Sequence, residues 1–395
     1  MGNTRVKTVT RRIYHSPLKR KGRMARFASA RTRLEANHAK SGPDGLEWEP
    51  RTMHFAETLQ QLVDRRDLAA HQAEGLMDWL MEGQATDAQI GGVLLALRMK
   101  GVVPDELVGF ARAMRAKATM LDHRFERLVD TCGTGGGKPS FNMSTAAAIV
   151  AASAGAKVAK HGNRGVTSSC GSADVLEQLG VRFSDDPEVL SKVLERCGFV
   201  FLFAPTHHPA MRFVGKARRE LGVRTVFNQL GPLANPAGAK RQLIGVYDRA
   251  MLRPMAEALR MLGSDRAMVV HSEDGLDEIS PVAATYVAEL RDGAVEMKTI
   301  TPEELGLKRV EPNDILPGVD VETNAEILRE AIYEVNSPRS LAIIPGAAAA
   351  IWLGGAASNL SEAAAKARAA IRNGLTMTKL EAIIYTTQQL VPSQP

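Results

Sequence analysis

The chain has 395 residues, 45% of them hydrophobic and 24% charged, enough apolar material for two domains and a sizeable core. Its net charge of +6 suggests nucleic acid until it is located: residues 1–51 hold 13 Lys/Arg against 4 Asp/Glu, leaving 37 against 40 in the mildly acidic remainder. Cys132, Cys170 and Cys197 form no CxxC pair and are odd in number, which argues against a disulfide framework and for a reduced, cytoplasmic setting.

Residues 1–51 form a basic extension with almost no acids before Asp44 and little apolar periodicity. Three readings stand: a disordered arm, a transit-like targeting segment, or upstream sequence translated from a misplaced start codon. Met53, directly before a clean helical pattern, favours the last, and the lack of an apolar h-region argues against a secretory signal. Residues 52–120 read as a helical N-terminal domain, open to completion by a later helix. Leu59, Leu62 and Val63, then Leu76, Trp79 and Leu80, recur at helical spacing. Thr86-Asp-Ala-Gln89 opens a helix as a capping box, and Ile90, Val93, Leu94 and Leu97 follow on one face before Gly101. Pro104-Asp105-Glu106 starts a fourth helix, with acids where the helix dipole favours them. Met114 to Asp122 reads as a connector.

Residues 121–393 read as an α/β domain. Short apolar runs at Leu128–Asp130, Lys157–Lys160, Phe199–Phe203, Gln242–Tyr247, Ala267–His271 and Thr285–Leu290 alternate with helical stretches. Those stretches are Ser144–Gly155, Ser172–Gly180, Pro187–Arg196, Pro209–Leu221 and Pro254–Leu262. Such alternation predicts a mostly parallel central sheet flanked by helices. Phe227 to Pro236 reads as a proline- and glycine-rich loop, a pocket wall or a structural turn. From Asn324 the chain is helical again, with Ser361 as one helix cap and Gly374 as its end. The apolar stretch Leu341–Trp352 is too short and too interrupted by Pro345 and Gly346 to span a bilayer.

The stretch Asp130-Thr-Cys-Gly-Thr-Gly-Gly-Gly-Lys-Pro-Ser-Phe-Asn-Met-Ser-Thr145 sets a glycine cluster between a strand and a helix. Glycines there let backbone N–H groups converge on an anion, and the helix N-terminus adds partial positive charge. It is no P-loop, because Cys132 replaces the required glycine and Pro139 follows Lys138. Nor is it a dinucleotide fingerprint, because residue 138 is lysine. Asn142, Ser144 and Thr145 are N-cap residue types, yet beside these glycines they also suit phosphate, and a hydroxyl there can ligate a bridging cation. Lys160-His-Gly-Asn-Arg164, extended by Ser168, Ser169 and Ser172, adds donors after the next strand. Asp277-Glu278 offers adjacent carboxylates for magnesium, with a solvated acidic turn as the plain alternative. His207-His208 lacks the partners of a zinc site, whereas Arg218 suits a substrate carboxylate.

Together, Gly133-Thr-Gly-Gly136, Asn142-Met-Ser-Thr145, Lys160-His-Gly-Asn-Arg164, Arg224-Thr-Val-Phe-Asn228 with Gly231-Pro-Leu-Ala-Asn-Pro236, and Leu276-Asp-Glu278 resemble the anthranilate phosphoribosyltransferase family. The resemblance runs from about Phe55 to about Leu390. It implies transfer of phosphoribose from 5-phosphoribosyl-1-pyrophosphate (PRPP) to the amino group of anthranilate, releasing pyrophosphate, in tryptophan biosynthesis. It implies a nucleoside-phosphorylase class II type of α/β domain, a homodimer and one or two Mg2+ ions. By position, Gly133, Gly136, Gly137, Ser140, Asn142, Met143, Ser144, Thr145, Lys160, His161, Gly162, Asn163, Arg164, Gly165, Val166, Thr167, Ser168 and Ser172 would bind PRPP. Ser144, Asp277 and Glu278 would hold the metal. Gly133, Asn163, His208 and Arg218 would meet anthranilate, and Lys160, His161 and Arg218 would be catalytic. The family commonly has Asp after Gly-Thr-Gly-Gly; here Gly137-Lys138-Pro139 stands there, and Lys138 is free to contact phosphate instead.

An arylamine needs little deprotonation, so the difficult step is departure of pyrophosphate, and charge stabilisation should dominate. Two rivals are a pyrimidine nucleoside phosphorylase of the same fold and a nucleic-acid-binding relative that lost the reaction. The Lys-His-Gly-Asn motif and Arg218 argue against the first. The acidic body confines nucleic-acid contact to a weak one through the basic extension.

Overall fold

The computed structural model describes residues 1–2, 54–165 and 170–392. The readings offered for the extension, and those for Val166, Thr167, Ser168 and Ser169, therefore lie outside the described residues.

The helical unit consists of α1 (Phe55–Val63), α2 (Ala70–Met81), α3 (Asp87–Lys100) and α4 (Pro104–Ala116). Helix α3 starts on the expected capping box: the Gln89 N–H donates to Thr86 Oγ1 at 3.3 Å and the Thr86 N–H to Gln89 Oε1 at 2.9 Å. Gly101 ends it at φ +88°, where a side chain would be strained. Glu106, fully buried, accepts from the Leu68 and Val103 N–H groups and from Lys100 Nζ at 3.0–3.1 Å. One carboxylate thereby closes the α4 N-terminus and ties it to the α1–α2 turn. The connector begins later than expected, because Met114 is buried within α4.

Among the described residues, seven strands form one sheet in the order β3-β2-β1-β4-β5-β6-β7. These are β1 (Leu128–Asp130), β2 (Lys157–Gly162), β3 (Phe199–Phe203), β4 (Arg241–Gly245), β5 (Arg266–Ser272), β6 (Thr285–Arg291) and β7 (Ala294–Ile300). Strands β1 to β5 pair in parallel, whereas β5–β6 and β6–β7 are antiparallel. Strand β7 is an addition to the sequence expectation. It returns through Asp292-Gly293, both at positive φ, the backbone a two-residue hairpin requires.

Helices α5 (Met143–Ser153), α6 (Ser172–Gln178), α7 (Pro187–Cys197), α8 (Ala204–His207), α9 (Arg212–Leu221), α10 (Phe227–Leu233) and α11 (Leu252–Met261) lie between strands. Helices α12 (Val321–Tyr333), α13 (Pro338–Leu353), α14 (Leu360–Arg372) and α15 (Leu375–Leu390) close the chain. The sheet is covered on both faces by strand alternation: Leu243, Met268 and Val270 join the core containing α5 and α13. Ile244, Val269 and Ala288 point the other way, into a core shared with α11 and the helical unit. Helix α13 is buried and presses Gly346 against Ala147 of α5. No helix among the described residues is long and apolar enough to cross a membrane.

Two expectations need correction. Residues 227–233 are a helix, not a loop, despite Pro232. The carbonyls at its C-terminal end accept from side chains instead: Gly231 from His161 Nδ1, Pro232 from Gln242 Nε2 and Leu233 from Arg115 Nε. Helix α14 is capped by Asn359, whose Oδ1 accepts the Glu362 N–H at 2.8 Å, and Ser361 lies inside it.

Candidate functional site

The strand order reverses direction at β1, whose neighbours β2 and β4 lead to opposite edges. A crevice opens at the carboxyl ends of strands at such a switch point. The glycine loop leaves β1 there. It is anchored at one end by Thr134, whose N–H and hydroxyl both reach Gly245 O, and at the other by Lys138, whose N–H donates to Gly275 O at 2.8 Å. Gly135 and Gly136 have φ of +65° and +88°, so the turn itself requires glycine. Helix α5 begins at the end of this loop. Asn142 occupies its N-cap without capping it, since its Nδ2 donates to Cys170 O at 3.1 Å. Asn142 Oδ1 and Thr145 Oγ1 are buried without a hydrogen-bond partner. Buried polar atoms of this kind ordinarily have partners, so both suit a polar ligand.

The cavity above the loop has a volume of about 730 Å3. Lys160, only 2% exposed, projects from β2 toward it and donates to Thr131 O at 2.6 Å and Ser144 Oγ at 3.3 Å. Asp277 and Glu278 face it from the loop after β5. Loss of hydration pushes the Glu278 carboxyl up to about 8, the Asp277 charge adding to it and Lys160 opposing it. Asp277 is raised for the same first reason. Asp130, fully buried, is pushed up to about 6 by lost hydration while its Oδ1 accepts the His161 N–H at 3.0 Å. Burial likewise raises the Cys132 thiol, which keeps it protonated and poorly nucleophilic.

A second wall is aromatic and cationic. His161 Nδ1 lies 3.1 Å from Gly231 O, and a carbonyl only accepts, so Nδ1 carries the proton and Nε2 is a buried, unpartnered acceptor. The His208 ring lies 5.1 Å behind it. Burial lowers both rings, to about 3 for His161 and about 4 for His208, so both are neutral. Arg218 lines the same cavity with its guanidinium 4.9 Å from the Phe227 ring.

Among the described residues, the expected site residues Gly133, Gly136, Gly137, Ser140, Asn142, Met143, Ser144, Thr145, Lys160, His161, Gly162, Asn163, Arg164, Gly165, Ser172, Arg218, Asp277 and Glu278 all line this cavity. Val166, Thr167 and Ser168 fall outside the description, and His208 stands behind His161 rather than on the wall. Arg164 is engaged away from the glycine loop, with Asp174 and Glu177 at 3.0 and 2.7 Å. Arg224, Gly245, Pro317 and Asn324 line the cavity without having been expected. Arg224 belongs to a quoted motif, but no local spacing signals Pro317 or Asn324.

Residues 125–377 match a family model described as the glycosyl transferase family a/b domain, and residues 56–118 match its helical bundle domain. The chain is 46% identical over 332 residues to anthranilate phosphoribosyltransferase of Methanocorpusculum labreanum, covering 84% of this chain and 97% of that one. It is 48% identical over 334 residues to that of Myxococcus xanthus, with 84% and 98% covered. The chain belongs to the anthranilate phosphoribosyltransferase family. The crystal structure of the family member from Thermus thermophilus superposes with a TM-score of 0.78 at 41% identity, covering 84% of this chain and 99% of that one. The family member from Saccharomyces cerevisiae, solved in complex with PRPP and Mg, gives 0.77 at 27% identity, with 85% and 98% covered.

A divalent metal, which membership of the anthranilate phosphoribosyltransferase family implies, can be tested against the residues present. Among the described residues no group of three or more His, Cys, Asp or Glu could hold a metal. The candidate set is instead two recessed carboxylates, both raised by lost hydration and Glu278 also by the Asp277 charge, beside the Ser144 hydroxyl. That is a hard-oxygen donor set with surplus negative charge, and it suits magnesium, which keeps several waters and shares its coordination with phosphate.

Proposed function

We propose that this chain transfers the phosphoribosyl group of PRPP to the amino group of anthranilate, giving N-(5-phosphoribosyl)anthranilate and pyrophosphate, in tryptophan biosynthesis. The observation that carries this reading is one cavity in which the glycine loop, Lys160, Ser144, Asp277 and Glu278 meet Arg218 and His161. The first group suits a diphosphate and the second a flat aromatic acid.

Lys160, held between Thr131 and Ser144, presents a fixed cation to the leaving group. The loop's N–H groups add dipoles that need no reorganisation as the bond breaks. Asn142 Oδ1, Thr145 Oγ1, Asn163, Gly165 and Ser172 supply further polar contacts for the donor. Asn163 and Arg218 address anthranilate, the guanidinium pairing with its carboxylate and the Phe227 face holding that guanidinium in plane. His161, neutral and with an unpartnered Nε2, accepts from the amine rather than protonating it, and His208 supports its ring. Ser144, Asp277 and Glu278 would hold magnesium, which when bound supplies Lewis-acid neutralisation of diphosphate oxygens.

Membership of the family supports a homodimer, and a cytoplasmic setting accords with Cys132 and Cys197 remaining thiols. The test is direct. Purified protein is mixed with PRPP, Mg2+ and anthranilate, and loss of anthranilate fluorescence is followed. Steady decay that requires both PRPP and Mg2+ is expected, and no decay at saturating substrates overturns the reading.

A further inference from the structure

The glycine loop is anchored at Thr134 and Lys138, but its middle peptide, Gly136–Gly137, meets two side chains from distant segments. Arg224, between α9 and α10, donates from Nη2 to Gly136 O at 2.6 Å. The Asp277 carboxylate packs against the next residue, Gly137. In a trans peptide the C=O and N–H point in opposite directions, so fixing the Gly136 carbonyl on Arg224 also fixes the direction of the Gly137 N–H. Both glycines are needed for this approach. A Cβ at Gly136 would collide with the Arg224 guanidinium, and one at Gly137 would lie 2.5 Å from Asp277 Oδ1.

Arg224 is itself fixed. Its guanidinium stacks 4.4 Å from the centre of the Tyr247 ring, just past β4. Its own carbonyl accepts from Arg98 Nη1 of α3 at 3.0 Å. The side chain also partitions two spaces: it lines the candidate site on one side and a cavity of about 410 Å3 beside α3 on the other.

We infer that Arg224 is a positioning residue for PRPP binding: its hold on Gly136 O, braced by Tyr247, sets the orientation of the Gly136–Gly137 peptide, against which the Asp277 carboxylate packs. It draws the Gly136 carbonyl toward itself, so that this oxygen does not face the anion the loop receives. It also links the helical unit, through Arg98, to the loop. The inference rests on the functional reading above.

The experiment compares wild type, Arg224→Ala and Arg224→Lys in the fluorescence assay, with calorimetric titration of PRPP plus Mg2+ in the absence of anthranilate. Arg224→Ala is expected to raise the KM for PRPP and weaken the calorimetric affinity by at least ~10-fold while leaving the KM for anthranilate within about twofold. Arg224→Lys keeps the charge without the planar fork and is expected to stay impaired, whereas millimolar guanidinium added to Arg224→Ala restores part of the lost affinity. Both Michaelis constants moving together, or PRPP affinity unchanged in a folded variant, overturns the inference. If Arg224→Ala does not fold, Tyr247→Leu removes only the brace, and an unchanged KM for PRPP there overturns it equally. An inactive wild type would fail the functional reading first, and is distinguishable from an active wild type whose variants behave like it.

Discussion

Replacing Lys160 by methionine tests the charge-stabilisation argument most sharply. The side chain is 2% exposed, so its ammonium acts through protein rather than bulk water. At an effective dielectric near 20 and a separation of about 4 Å, a unit charge interacts with a phosphate charge by about 4 kcal/mol. Only the part gained as the leaving group develops charge accelerates the reaction, and roughly a third to a half of that energy is about 1.4–2 kcal/mol. Lys160→Met should therefore lower kcat by about 10- to 30-fold. The variant also leaves Thr131 O without its donor, a stability cost of about 1–3 kcal/mol. The assay is steady-state loss of anthranilate fluorescence at saturating PRPP and Mg2+, run beside a thermal melt on the same sample. A folded Lys160→Met enzyme with wild-type kcat would refute the reasoning, because the cation would then contribute nothing at the barrier.

Asp277→Ala should cut turnover at least ~10-fold and shift the Mg2+ concentration for half-maximal rate upward; an unmoved Mg2+ titration would remove Asp277 from the metal set. Glu106→Ala strands two N–H groups inside the helical unit and leaves Lys100 with Asp67 alone, and chemical denaturation should show a loss of about 2–4 kcal/mol. The His208 ring is neutral in the folded protein down to about 4, against an ordinary value of 6.5. Its contribution is thus fully present above the unfolded value and declines as pH falls below 6.5, because the unfolded chain binds the proton first. Between pH 7 and pH 5 that is a loss of about 2 kcal/mol, so His208→Asn should be less acid-sensitive than wild type by that amount in urea titrations at the two pH values.

The half of the candidate site proposed to bind phosphate was legible because its parts are contiguous. A glycine cluster at a strand-to-helix junction and Lys160-His-Gly-Asn-Arg164 at the next strand end carry their chemistry in local order. The local helix signals at Thr86 and Pro104 were legible for the same reason. Asn359-x-x-Glu362 and the Asp292-Gly293 hairpin are equally local, yet Ser361 is a competing cap type two residues on, and a parallel-sheet pattern gives no reason to expect a hairpin.

What the chain order determined by itself is an alternating α/β body, a helical unit ahead of it, and the residue types that gather around the candidate cavity. Tertiary structure alone decided which atoms remain available there. His161 keeps Nε2 unpartnered because a carbonyl 70 residues away takes its other nitrogen. The Gly136 carbonyl is taken by Arg224, 88 residues away, and the carbonyls at the end of helix 227–233 are taken by side chains from three other segments. The physical reason is that propensity and spacing act over a few residues, whereas hydrogen-bond satisfaction and lost hydration depend on neighbours that only the folded chain brings together.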